Sequence, residues 1–493
     1  MIVKVLISSL LVLISFSTYR AQNPSPRLES FFTTSRHPVN GNVLVAENGK
    51  IILERSAGYA DAGARAPNNA ATRFQLASVT KVFTSTAILQ LADRGKLKLD
   101  DPLTKYFPDF PFAGISLRHL LSHTSGLPDF QIFEEPVRQS PEKVFTNADV
   151  IPALRSWGKP LPFKPGDAWS YSNVGYCLLA LLVEKLSGQR FEEYVRRNIF
   201  AAADMSDSYF ETELVAASDP KKAKEQRYRL LFHKDLSPVQ FDKWRGFTGN
   251  GGAITTARDL LKFDQALYGG KILRGATLEE AFTPAKLNDG SKAKTTTLDA
   301  YYGLGWFIFE DDGVGKIVWH GGGRPGIVTV FLRNVTKRQT AVVLDNSFNR
   351  ETYRIGLSAL NILSGRAAVT RKSSLVRDFA LELVDKGQDA ALVKLAELKF
   401  DAANYYLDED EMNDLALQIF YSGPFPDNKG VALELARMNI AFFPNSFNIY
   451  DTYGEILAAA GKRELAIVMY KRSIAMNPNN EGGKRALERL LKQ

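Results

Sequence analysis

The chain has 493 residues, 45% hydrophobic and 24% charged, with a formal net charge of +8 and one cysteine. That length supports two or three domains with sizeable cores, and the composition is that of an ordinary soluble globular protein. A lone cysteine excludes any disulfide within the chain. The basic excess gathers at the end, where residues 461–493 hold eight Lys or Arg against three Glu; with no nucleic-acid motif beside it, it reads as a solvated helical face rather than a nucleic-acid or anionic-surface patch.

Taken in order, Met1–Gln22 reads as an export signal: Lys4 gives the positive start, Val5–Phe16 a short apolar core, and Ala21 a small residue before the cut. The apolar core is too short to span a bilayer. The expectation is a periplasmic or secreted bacterial protein with no stable membrane span once the signal is removed. Tyr19, where a small residue is preferred, leaves an uncleaved N-terminal anchor as the other reading. Cys177 reads as a buried small hydrophobe.

Two β-rich runs, Gly41–Glu47 and Lys50–Arg55, flank Asn48-Gly49, a hairpin signal. From Val82 the apolar residues follow a helical period up to Gly95. Ser78 stands where that helix begins, a position that an N-capping serine also takes. Lys81 lies three residues on, on the same face. An ammonium there opposes the positive end of the helix dipole, and apolar walls further favour the neutral amine. A neutral lysine beside a serine hydroxyl is a base beside a nucleophile.

From Gly95 to about residue 290 the chain reads as helices and loops, including a turn at Pro165–Tyr176 leading into a helix over Leu178–Leu186. Tyr171 and Asn173 flank one residue, so in extended backbone both point the same way. Strand patterns return at Gly303–Phe309, Lys316–Trp319, Ile327–Arg333 and Thr340–Leu344, and a helix follows over Glu351–Leu363. Strands at both ends with helices between predict one sheet built from the two ends and a helical lobe against it, with a cleft between. The run His320-Gly-Gly-Gly323-Arg324 ends a strand, and its glycines allow backbone N–H groups to approach a ligand.

Residues 365–375 read as a linker, and 376–493 as wholly helical. A 34-residue period there matches Ala432, Ala436, Ile440 and Pro444 to Ala466, Tyr470, Ile474 and Pro478. With Tyr450, Tyr453 and Gly454 this resembles the tetratricopeptide repeat, whose default use is to dock a protein partner.

Ser78-Val-Thr-Lys81, Tyr171-Ser-Asn173 and His320-Gly-Gly-Gly323, in this order, resemble the serine β-lactamase-related family, which includes class C β-lactamases, D,D-peptidases and esterase relatives. Gly95–Pro102, Leu120–Leu127 and Gly251–Asp259 agree with it, and the resemblance covers roughly residues 28 to 362. It implies an α/β fold, a mainly antiparallel sheet flanked by helices plus an all-helical lobe, followed here by the all-α repeat domain. The division expected is signal 1–22, serine hydrolase domain 23–364, linker 365–375 and helical domain 376–493.

The resemblance also implies roles. Ser78 would form the acyl-enzyme, Lys81 accept its proton and Tyr171 pass a proton to the leaving group. The backbone N–H groups of Ser78 and Gly323 would form the oxyanion hole, where losing one donor costs about 3–4 kcal/mol. Asn173, His320, Gly322 and Arg324 would hold the substrate. No metal and no organic cofactor is expected. The penicillin-active pattern has Lys-Thr-Gly where this chain has His320-Gly-Gly, which removes an ammonium and a hydroxyl from the antibiotic's carboxylate; Arg324 would substitute in part.

The resulting expectation is an exported serine hydrolase cleaving an ester or a peptide-like or D-amino-acid amide, with weak or no β-lactamase activity. The alternative is a non-catalytic penicillin-binding-like protein whose repeats dock a partner. Rival chemistries lack their signatures: no Gly-x-Ser-x-Gly and no His-Glu-x-x-His occurs, and the five histidines (His37, His119, His123, His233, His320) are scattered. His123, near Ser125, reads as a hydrogen-bonded core histidine.

Overall fold

The computed structural model describes residues 24–34, 39–213, 218–228, 236–238, 244–295, 299–311, 313–347, 349, 351–369, 372–423 and 425–492. The expected export signal lies outside them, as do His37 and His233.

Helix α1 (Pro24–Thr34) precedes a hairpin of β1 (Gly41–Glu47) and β2 (Lys50–Ala57). At its turn Asn48 and Gly49 have φ of 50° and 76°, the left-handed pair whose twist matches a two-residue hairpin. The chain then passes through α2 (Lys81–Asp93), α3 (Asn173–Ser187) and α4 (Ala257–Tyr268), with shorter helices between them. It returns as β3 (Tyr301–Tyr302), β4 (Phe307–Asp311), β5 (Gly315–Arg324), β6 (Ile327–Asn334) and β7 (Gln339–Asp345), closed by α5 (Thr352–Leu363).

These strands form one antiparallel sheet in the order β3-β4-β5-β6-β7-β1-β2. β1 pairs with β7, Gly41 opposite Asp345, so the two ends of this unit close one sheet. Side chains alternate between faces along a strand. Val43 and Val45 therefore pack with Leu28 of α1 and Ile355 and Ala359 of α5, while Leu44 and Ala46 pack with Val82, Leu178 and Leu260 of α2, α3 and α4. Helices cover both faces, which is why the inner strands are continuous apolar runs instead of alternating ones.

The structure moves three boundaries. Apolar pattern alone stops β5 at Trp319, but its pairing continues through the glycines to Arg324, opposite Ile327. The stretch between the two halves is not helix and loop alone, because Phe74–Gln75, Ala253–Thr255 and Tyr209–Phe210 form a small sheet just before Ser78. In the segment read as linker, Ser373–Ser374 pairs with Tyr405–Tyr406, and Ser374 caps the first helix of the tail.

That tail is α6 (Leu375–Lys386), α7 (Gln388–Leu398), α8 (Glu409–Ser422), α9 (Asn428–Phe442), α10 (Phe447–Ala459), α11 (Arg463–Met476) and α12 (Glu481–Lys492). Its buried apolar residues form two clusters of their own, one from Leu375 to Ile456 and one around Leu457, Ala466 and Tyr470. No described helix is long and apolar enough to cross a membrane.

Candidate active site

Ser78 lies in a one-turn 3-10 segment, Ala77–Thr80, that runs directly into α2. It is not the helix cap; its hydroxyl is 3.1 Å from Lys81 Nζ. Ala77, the residue before it, has φ of 47°, a left-handed conformation that costs a non-glycine residue about 1 kcal/mol. Surrounding bonds hold the turn in place. Leu76 N donates to Ala253 O at 2.8 Å, Ala77 N to Gln75 Oε1 at 2.6 Å, and Thr329 Oγ1 to Leu76 O at 2.7 Å. β5 crosses so closely that a Cβ on Gly322 would sit 2.1 Å from Leu76 O and 3.0 Å from Ser78 N.

Lys81 is the first residue of α2, and its side chain is fully buried. Nζ also donates to Asn173 Oδ1 and to Asn250 O, each at 2.8 Å. Burial lowers its pKa to about 7, against the opposing pull of Asp129 and Cys177. Both carbonyl oxygens can only accept, so they take two N–H bonds in either protonation state; in the neutral form that burial favours, the lone pair is left for Ser78 Oγ.

Asn173 is fixed in turn by Asp129. One Asp129 oxygen accepts Asn173 N at 2.8 Å and the other Asn173 Nδ2 at 2.9 Å, which aims Oδ1 at Lys81. Ser172 is extended, so Tyr171 and Asn173 share a side, and the Tyr171 ring centroid is 4.8 Å from Lys81 Nζ. Burial holds the Tyr171 hydroxyl well above its ordinary pKa, a hydrogen bond with Ser78 pulling the other way. It is therefore a phenol at neutral pH.

Beneath Tyr171 lies His123, 4.2 Å away between ring centres, whose Nδ1 accepts Ser172 N at 3.1 Å. It is a buried hydrogen-bonded histidine, as its surroundings in the sequence suggested. Cys177 is buried in the larger core.

His320 departs from its expected role. It is 1% exposed, with Nδ1 2.7 Å from Gly321 O and Nε2 3.1 Å from Tyr302 Oη. Burial, then the nearby Lys81 charge, lowers its pKa to about 3. It supports the floor under Tyr171 and does not line the cleft: it shares a face of β5 with Gly322, but the rings of Tyr171, Tyr302 and Phe307 pack around it.

Ser78, Asn173, Asn250, Gly323 and Arg324 line one cleft of about 220 Å³, together with Glu211 and the rings of Phe130, Trp244 and Phe247. Arg324 is not an open anion receptor. Its two terminal nitrogens bind Glu211 at 2.9 and 3.0 Å, and Glu225 pairs with it as well, while Lys222 and Arg245 approach Glu211 at 3.6 and 3.8 Å. A wider groove of about 710 Å³ lies elsewhere, lined by Phe107, Pro108, Ile151, Arg155 and Lys185, and holds none of these groups. Among the described residues no cluster of three His, Cys, Asp or Glu stands ready for a metal.

Sequence reasoning missed Asp129, Glu211 and the three rings. Asp129 follows the quoted Leu120–Leu127 stretch by two residues, a signal within reach. Asn250 stands just before the Gly251–Asp259 stretch, but nothing local shows that its carbonyl holds Lys81. Glu211 carries no local mark.

The Beta-lactamase family model matches residues 29–364. A penicillin-binding protein of Bacillus subtilis (strain 168) is 33% identical over 359 residues, 70% of this chain and 77% of its own length. The chain spans 62% of a second Bacillus subtilis relative and 60% of one from Staphylococcus aureus. Among solved structures, a penicillin-binding protein from Bacillus halodurans aligns with a TM-score of 0.57 at 28% identity, over 69% of this chain and 99% of that one. A D-amino acid amidase from Ochrobactrum anthropi SV3 aligns with a TM-score of 0.52 at 25% identity, over 66% and 93%.

Proposed function

The chain belongs to the serine β-lactamase-related family of hydrolases, and from that premise we propose that it cleaves an ester or a peptide-like or D-amino-acid amide through an acyl-enzyme on Ser78. The supporting observation is the three-way hold on Lys81 Nζ, two carbonyl acceptors and the Ser78 hydroxyl.

In this reading Lys81 takes the hydroxyl proton as Ser78 Oγ bonds to the substrate carbonyl carbon. The oxyanion so formed accepts from the N–H groups of Ser78 and Gly323. The proton then passes through Tyr171 to the leaving oxygen or nitrogen as its bond to carbon breaks. Water adds to the acyl group by the reverse route, releasing the acid and restoring Ser78. Tyr171 suits the relay because it keeps its proton.

The same cleft argues against good penicillin turnover. Gly321 and Gly322 offer no hydroxyl, His320 is buried and neutral, and Arg324 is committed to Glu211 and Glu225. Export through Met1–Gln22 belongs to this proposal too, and places the reaction in the periplasm or outside the cell.

A fluorophosphonate probe tests it. Wild-type protein is labelled, Ser78→Ala is not, and Lys81→Ala is labelled about a hundredfold more slowly. An unlabelled wild type would leave only the partner-docking alternative, and efficient benzylpenicillin hydrolysis would overturn the substrate assignment.

A further inference from the structure

We propose that Tyr353 carries a substrate-binding hydroxyl, which α5 places in the space that a side chain at position 321 would fill, and that it donates to a second, uncharged carbonyl of the substrate beside the bond being cleaved. The inference rests on Ser78 being the acylated residue and narrows its substrates to peptide-like ones.

Alternate residues of β5 face opposite ways. Gly322 faces the Ser78 turn, whereas Trp319, Gly321 and Gly323 face α5. Tyr353, the second residue of α5, is partly buried against them. Its ring meets Trp319 edge-on, with centroids 5.9 Å apart. A Cβ on Gly321 would sit 1.8 Å from Tyr353 Cε1 and 2.8 Å from its Oη, and one on Gly323 would lie 4.0 Å from the same oxygen. The phenol therefore stands close to where a serine or threonine at 321 would hold its own hydroxyl. Glycine at that position is what admits the ring.

The hydroxyl is also unspent. Burial alone pushes it up to about 12, with no charge or hydrogen bond among the described residues contributing. It is a neutral O–H donor at neutral pH. Packing against Trp319 and the glycines fixes where that donor lies, so little freedom is lost when it binds.

β5 ties this position to the reaction. β6 pairs with the strand as far as Arg324, but β4 leaves it at Trp319, opposite Phe307. The edge of Gly321–Gly323 away from β6 thus has no strand partner. Ser78 N lies 3.0 Å from the Cβ position of Gly322, and Tyr171 packs on the same apolar cluster as Tyr353. A carbonyl held between the N–H groups of Ser78 and Gly323 lies at that open edge, and the part of the substrate that runs back along the strand comes under Tyr353 Oη. One uncharged hydroxyl matches what an amide carbonyl gives up on leaving water, and offsets little of what a carboxylate gives up. The acceptor is therefore a neutral one.

Five acyl esters test this: phenyl acetate, which has no second carbonyl; the phenyl ester of N-acetylglycine and the acetate ester of glycolanilide, which carry an amide on the acyl and on the leaving side; and monophenyl succinate and O-acetylglycolic acid, which carry a carboxylate on those sides instead. Each kcat/KM is corrected for the ester's own rate with hydroxide. In the wild type one of the two amide esters is expected to exceed phenyl acetate by about threefold or more, the gain from one neutral hydrogen bond. The carboxylate ester of the same side is expected to be slower than that amide ester. In Tyr353→Phe, which keeps the ring and removes the oxygen, the ratio of the amide ester to phenyl acetate falls by about threefold or more. A merely structural role for Tyr353 would slow both esters alike and leave the ratio unmoved, and a lower folded fraction cancels in it.

Wild-type ratios near one for both amide esters, a ratio unchanged in Tyr353→Phe, or a carboxylate ester faster than its amide counterpart would overturn the assignment of Tyr353 while leaving the proposed function intact. Absence of hydrolysis of every ester together with an unlabelled Ser78 would overturn both.

Discussion

Asp129 shows how much a single side chain sets at this site. It orients Asn173 by three hydrogen bonds, two of them from the backbone N–H groups of Asn173 and Val174. Its charge also raises the pKa of Lys81 against the burial that lowers it to about 7. A base works in its neutral form, so labelling of Ser78 is expected to rise with pH through about 7 as Lys81 loses its proton. The other groups facing Lys81 stay neutral there: burial keeps His123 and His320 unprotonated and the Tyr171 and Tyr176 phenols protonated. Asp129→Asn removes the one full charge that opposes burial. The acidic limb of the pH–rate profile should then move to lower pH, and the plateau should fall about tenfold because the Asn173 amide is free to flip. A profile unmoved along the pH axis would show that Asp129 does no more than brace the loop.

At the scale of elements, the site is the contact between a strained turn and a strand without side chains. β5 remains paired through its glycines, and Gly322 faces Leu76 O at a distance that admits no Cβ. The obstacle is a backbone carbonyl that itself accepts from Thr329, so it has no rotamer by which to yield. Gly322→Ala should therefore displace the Ser78 turn. We expect labelling to drop about a hundredfold with about 1–3 kcal/mol of destabilisation, read by probe kinetics and thermal melting. Labelling at the wild-type rate would mean that strand and turn separate without consequence. In the sequence the glycine run reads as room for a ligand, and the contact of Gly322 with Leu76 O is not visible there. A run of glycines marks both strand ends and close approaches, and only the partner surface distinguishes them.

The whole molecule carries separate sets of cores. The clusters on the two faces of the sheet draw their fully buried residues from Leu28 to Ile362, and those of the tail from Leu375 to Tyr470, with no member in common. Cooperativity follows shared burial, so calorimetry should resolve two unfolding transitions, and protein ending at Val369 should keep the wild-type labelling rate. One transition for the full chain, or loss of labelling on truncation, would show that tail and sheet stabilise each other.

The sequence by itself determined what acts over a few residues. The one-turn spacing of Ser78 and Lys81, the Asn48-Gly49 hairpin, the apolar runs of the inner strands and the helical tail all follow from local periodicity and turn chemistry. Tertiary structure alone decided which charges are spent and which polar groups stay open. Asp129 reaches Asn173 across 44 positions, and Glu211 takes Arg324 across 113. His320, polar by type, is buried among the rings of Tyr171, Tyr302 and Phe307, which come from other parts of the chain. A buried ion's partner is fixed by packing between distant elements, and no spacing along the chain encodes it.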